Sequence, residues 1–83
     1  MRLPRDLSAD ELVAALKVLG YQVTRQTGSH LRLTTRQHDE HHLTIPQHNP
    51  LRVGTLHSIL ADVASHFVMS RDELMERLFG EKL

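Results

Sequence analysis

The 83-residue sequence contains no cysteine. This absence excludes disulfide scaffolds, thiolate metal sites and thiol nucleophiles. The sequence also lacks an apolar run of the roughly 20 residues that a membrane span needs, and residues 1–6 carry no apolar signal-peptide core. We therefore expect a cytoplasmic protein that contacts no membrane. Because so short a chain leaves no room for a second domain, we also expect one domain over residues 1–83.

A charge excess is missing as well, since ten basic and ten acidic residues give a formal net charge of +0. Nucleic-acid-binding domains usually carry a clear positive excess, so the total argues against one. The distribution argues otherwise, because the acidic residues concentrate in the two terminal segments. The middle of the chain holds six of the seven histidines and the basic residues Lys17, Arg25, Arg32, Arg36 and Arg52. Histidine titrates near pH 6.5 in its ordinary state, so this segment can still form a basic face.

Hydrophobic periodicity predicts an α-β-β-β-α order. Ser8 and Glu11 match a capping box that starts a helix over residues 9–19. A second helix is indicated around residues 56–63 and a short C-terminal helix from Ser70. Residues 64–69 are ambiguous: they could continue the second helix, which would leave Phe67 and Val68 to plug the core beneath the C-terminal helix. Three alternating segments read as strands, at residues 21–25, 30–35 and 41–45.

These elements predict an α+β fold, in which helices pack on one face of a three-stranded antiparallel sheet. In the second strand, the period of two sends Leu31 and Leu33 to the core and His30 and Arg32 to the open face. The third strand repeats the pattern, and Pro46 ends it because proline cannot donate to the ladder. The open face of the sheet is therefore where we expect chemistry.

The segment Gly28-Ser29-His30 carries the strongest chemical indication. Glycine adopts the positive φ of a tight hairpin, so Gly28 and Ser29 would position His30 at the strand edge. Metal-free RNA cleavage needs a group that takes the 2′-hydroxyl proton, a group that protonates the leaving 5′-oxygen and a cation near the phosphorane. His30 suits either proton role, and Arg32 suits the cation. The same pattern also fits an ordinary hairpin with a surface histidine, and the residues alone leave both interpretations open.

A second histidine lies in a loop between two prolines, Pro46 and Pro50. Rigid loops beside sheets often carry functional groups, so His48 is a candidate second proton carrier. The alternative is a structural loop in which His48 bonds to a backbone group.

Residues 38–42 contain three histidines and two acids, which are side chains that bind zinc and nickel. In a strand, His41 and His42 point to opposite faces, so at most one of them can join His38. A structural zinc ion usually needs four protein ligands, and we therefore predict no metal site.

The chain resembles the HicA toxins, which are small bacterial ribonucleases of type II toxin–antitoxin modules. The resemblance rests on three blocks in the family's order: LPRDLS at residues 3–8, LGYQVTRQTGSH at residues 19–30 and IPQHNPLRVGTL at residues 45–56. It implies a double-stranded-RNA-binding-domain-like fold, cleavage of messenger RNA without a cofactor, and a HicB-type antitoxin that masks the site. It also implies that the catalytic histidine is His30.

Together these observations predict a metal-independent endoribonuclease. A non-catalytic RNA-binding or protein-interaction domain on the same fold is the alternative. The predicted site has His30 as the catalytic residue, His48 as the candidate second proton carrier, Gly28 and Ser29 as positioning residues, and Arg25, Arg32, Lys17 and Arg52 as RNA-binding residues.

Overall fold

The computed structural model describes residues 6–80. The strands form an antiparallel sheet in the order β1-β2-β3, which confirms the predicted α-β-β-β-α order with a further C-terminal helix. Residues 3–5 of the first matching block lie outside the described part of the chain. The elements are α1 (Ala9–Leu16), a 3-10 turn (Lys17–Leu19), β1 (Gln22–Thr27), β2 (His30–Thr35), β3 (His41–Pro46), α2 (Val53–Phe67) and α3 (Arg71–Phe79).

The first helix begins at the predicted capping box. The Ser8 hydroxyl accepts from the backbone amide of Glu11 at 3.1 Å, and the Glu11 carboxylate accepts from the amide of Ser8 at 2.9 Å. The helix tightens into the 3-10 turn before Gly20, whose φ is +84°. A Cβ atom at Gly20 would lie 2.8 Å from the Thr35 hydroxyl, so both the backbone conformation and the packing require glycine there.

The strands β2 and β3 alternate as predicted. Leu31, Leu33 and Thr35 of β2 are buried, as are Leu43 and Ile45 of β3. The strand β1 begins one residue later than expected because Tyr21, which is fully buried, belongs to the core rather than to the ladder. The alternation predicted for β1 is wrong, since all six of its residues are exposed. The register of β1 also shifts by a bulge between Val23 and Arg25.

The helices pack on one face of the sheet, with α1 against β1, α2 against β3, and α3 against both helices. Residues 64–67 continue α2, and Phe67 packs against the core. The prediction that Val68 plugs the core is wrong, since its side chain is 79% exposed. Val68 ends the helix in a left-handed conformation (φ 54°), which turns the chain towards the Ser70 cap of α3.

Within residues 6–80, no helix combines the length and the apolar character needed to cross a bilayer.

Candidate functional site

A shallow depression of about 210 Å³ lies on the open face of the sheet, at the end where β1 and β2 meet. Its lining consists of Arg25, Thr27, His30, Arg32 and Thr44. The strand register explains the grouping, because His30 pairs with Thr27 while Arg32 pairs with both Arg25 and Thr44. The structure thus brings together His30 and two of the predicted RNA-binding residues.

The two arginines of this depression occupy directly opposite positions on neighbouring strands. Like charges placed in this way cost stability. Within the described residues, both ion pairs that form involve histidines, so no carboxylate neutralises Arg25 or Arg32. An anion bound between the two guanidinium groups would remove this repulsion, and His30 lines the same depression.

The turn before His30 is tied to the loop that follows β3. Gly28 has a φ of +56°, and a Cβ atom there would meet nothing within 4 Å, so only the backbone conformation favours glycine. The Ser29 carbonyl accepts from the Gln47 amide at 2.6 Å, and the Gln26 side chain donates to that of Gln47 at 3.1 Å. The backbone of the turn is therefore fixed immediately before His30.

Besides the positioning residues Gly28 and Ser29, three of the predicted site residues do not line this depression. His48 is exposed in the loop, where its carbonyl accepts from the Ala9 amide at 3.3 Å and its amide donates to Pro46. Lys17 lines a different groove, formed by α1 and the start of β1. Arg52 occupies the N-cap position of α2, and its side chain forms no capping hydrogen bond. Any contribution of these residues to RNA binding would come from outside the His30 depression.

Sequence reasoning did not name Thr27 and Thr44 as site residues, although both line the depression. The signal for Thr44 was present, because the alternation of β3 sends it to the open face beside Arg32. The position of Thr27 in the site depends on the hairpin register, because Thr27 pairs with His30 only if the turn contains two residues.

The adjacent histidines of β3 point to opposite faces of the sheet, as predicted. His41 lies between Tyr21 and Asp62, with its Nδ1 2.7 Å from the Tyr21 hydroxyl and its Nε2 3.1 Å from the Asp62 carboxylate. A carboxylate only accepts, so in the neutral ring Nε2 donates to Asp62 and Nδ1 accepts from Tyr21. Burial, and then the negative charge of Asp62, raise the pKa of Tyr21 above the ordinary value for tyrosine.

The ring of His41 also stacks on that of His66 from α2, with centroids 4.3 Å apart and planes 11° apart. The Nε2 atom of His66 donates to the carbonyls of Gln37 and Asp39 at 3.0 and 3.1 Å. These contacts attach α2 to β3 and to the β2–β3 turn. Sequence reasoning missed them because the partners lie more than 20 residues apart and no local pattern links them.

On the open face, His42 forms a separate chain of hydrogen bonds. Its Nε2 lies 2.9 Å from the Glu40 carboxylate, and its Nδ1 lies 2.8 Å from the Thr34 hydroxyl. Thr34 in turn lies 3.0 Å from the hydroxyl of Thr24. No cluster of three or more ligating side chains suited to a metal ion occurs among residues 6–80.

Comparison with protein families matches residues 9–64 to the family model described as the HicA toxin of bacterial toxin–antitoxin systems. The matched residues include the whole depression, the turn before His30 and most of α2. Comparisons with curated proteins and with solved structures find no match.

Proposed function

Because the chain belongs to the HicA toxins of bacterial toxin–antitoxin systems, we propose that it is a metal-independent endoribonuclease that cleaves messenger RNA. A HicB-type antitoxin would neutralise it by covering the open face of the sheet. The substrate and the antitoxin are both cytoplasmic in this proposal, and the reaction uses no cofactor.

One observation carries the proposal: the paired arginines Arg25 and Arg32 lack acidic partners among residues 6–80 and share a depression with His30. A phosphodiester bound between the arginines would place its negative charge beside two positive charges that have no acidic partner among residues 6–80. The same cations would stabilise the additional negative charge that develops on the phosphorane.

His30 would move the proton in this reaction. Histidine is the side chain whose ordinary pKa lies closest to neutrality, so it can act as the general base for the 2′-hydroxyl or as the general acid for the 5′-oxygen. Gly28 and Ser29 would position it through the backbone, because the turn is tied to Gln47. The hydroxyls of Thr27 and Thr44 are suited to donate to phosphate oxygens.

His48 is our candidate for the second proton carrier. Its loop is joined to the His30 turn by the hydrogen bond from Gln47 to Ser29, and bound RNA would cover both segments. Lys17 and Arg52 would contact RNA phosphates beyond the scissile one, since neither lines the depression.

Growth arrest on induction tests the proposal in cells. The His30→Ala variant should express as a folded protein without arresting growth. A matched control is His57→Ala, which removes an exposed imidazole from α2 and should remain toxic. Full toxicity of His30→Ala would contradict the assignment of the catalytic residue.

The net charge of +0 favours a second candidate, a non-catalytic RNA-binding or protein-interaction domain. A gel assay with purified RNA in EDTA separates the two candidates. Cleavage that depends on His30 supports the enzyme, whereas binding without cleavage at every protein concentration supports the binding module.

A further inference from the structure

A second depression lies on the sheet beyond the His30 depression, where β1 begins and β2 ends. Its volume is about 560 Å³, within the range of 300–1,000 Å³ typical of ligand sites. Its lining consists of Gly20, Gln22, Thr24, Thr34, Thr35, Arg36 and Gln37. No carboxylate is among these residues, and Arg36 supplies a positive charge.

The groups that line this second depression can recognise a nucleotide. The side chains of Gln22, Arg36 and Gln37 form no hydrogen bond or ion pair with other residues of the described part of the chain. A guanidinium group binds phosphate, and glutamine amides bind the edges of unpaired bases. The three side chains together suit an anionic ligand that also carries amide-like donors and acceptors.

Hydrogen bonds to neighbouring elements fix Thr35 and the backbone of Gln37 at the base of the second depression. The Thr35 hydroxyl donates to the Leu19 carbonyl at 2.7 Å and accepts from the Gln37 amide at 3.1 Å. The Gln37 carbonyl accepts from His66 of α2. A Cβ atom at Gly20 would lie 2.7 Å from the Gln37 side-chain nitrogen, so the absence of a side chain at Gly20 makes room for the Gln37 amide.

The two depressions lie in line along β2. His30 and Thr34 are four residues apart on one strand face, which places them about 13 Å apart. A phosphate group is much smaller than this separation, so one phosphate cannot occupy both depressions. The hydroxyls of Thr24 and Thr34, which line the second depression, are hydrogen-bonded to one another, and that of Thr34 also bonds to His42.

We propose that the second depression is a subsite for a nucleotide that flanks the scissile bond of single-stranded RNA. Arg36 binds its phosphate, and Gln22 and Gln37 bind its base. The proposal rests on the proposed function, because it takes the His30 depression as the place of cleavage. It predicts that the RNA strand crosses the open face from His30 towards Arg36.

The test measures the binding of labelled single-stranded RNA to protein that carries His30→Ala, so that the RNA stays intact. Two RNAs are compared, a short one and one extended by several nucleotides on each side. Extension should increase the affinity, and Arg36→Ala should reduce the affinity for the extended RNA about tenfold while leaving the short RNA unaffected. The slope of log K against log salt should fall by about 0.7, the value for one phosphate contact on a single strand.

A matched control is Arg77→Ala, which removes an exposed arginine from α3 and should change neither measurement. Equal losses from Arg36→Ala and Arg77→Ala would overturn the subsite, because they would indicate a general effect of net charge. Extension without a gain in affinity would overturn it too. Failure of the proposed function has a different signature: the wild-type protein leaves RNA intact, whatever the binding measurements give.

Discussion

The replacement of Tyr21 by phenylalanine tests the hydrogen-bond network that joins the sheet to α2. Tyr21 is fully buried, and its hydroxyl contacts Nδ1 of His41 at 2.7 Å. Phenylalanine fills the same volume but removes the donor. A hydrogen bond of this kind contributes about 1 kcal/mol to stability, so Tyr21→Phe should lower the free energy of unfolding by that amount at neutral pH.

The raised pKa of Tyr21 also makes the stability of the protein depend on pH. The pKa of Tyr21 is raised in the folded protein, so above about pH 10 the unfolded chain releases a proton that the folded chain keeps. The free energy of unfolding of the wild-type protein should therefore fall by up to about 1.4 kcal/mol per pH unit in that range. Tyr21→Phe lacks this loss, and its stability should approach or overtake that of the wild type near pH 11.

Two measurements check this prediction. Urea denaturation of both proteins from neutral to alkaline pH gives the two stability curves. Tyr21 is the sole tyrosine and tryptophan is absent, so the tyrosinate absorbance of the folded wild-type protein reports on this one hydroxyl. A folded protein in which Tyr21 ionises at about pH 10, or parallel stability curves for the two proteins, would refute the reasoning.

Two further changes have expected outcomes. Arg25→Gln removes the repulsion with Arg32 and should raise the free energy of unfolding by about 0.2–1 kcal/mol at low salt, while RNA binding weakens; a loss of stability would contradict the account of the depression. Gly28→Ala should lower the free energy of unfolding by about 1 kcal/mol, because alanine is strained in the left-handed backbone conformation. Gly20→Ala should lower it by at least about 2 kcal/mol, because the added Cβ also meets Thr35. Urea denaturation measures both, and equal costs for the two glycine variants would count against the packing argument.

The parts of the fold that depend on local chemistry could be predicted from the sequence. The alternation of leucines in β2 and the Ser8 cap are local signals, and the structure confirms both. The grouping of His30 with Arg32 follows from the same alternation. Arg25 was named as an RNA-binding residue, and its position opposite Arg32 follows from the register of the two-residue turn before His30. The bulge between Val23 and Arg25, which no local pattern marks, changes only the pairing at the start of β1.

The features that sequence reasoning missed depend on contacts between distant segments. His66 was given no role, yet it stacks on His41 and holds the carbonyl of Gln37. Val68 looked like a core residue because it is apolar, but the left-handed end of α2 turns it to solvent. An apolar residue is buried only if the backbone directs its side chain to the core. At the end of α2, the left-handed conformation of Val68 directs its side chain to solvent instead.

The most direct test of the proposed chemistry is the single-turnover rate of RNA cleavage by the purified protein in EDTA. Wild-type protein should cleave RNA and leave intact an RNA with a 2′-deoxynucleotide at the cleaved position, because the 2′-hydroxyl is the proposed nucleophile. His30→Ala should lower the rate by about 10²–10⁴-fold, while His57→Ala retains it. Cleavage by His30→Ala at the wild-type rate, or activity that EDTA abolishes, would contradict the proposal that His30 moves the proton in a metal-independent reaction.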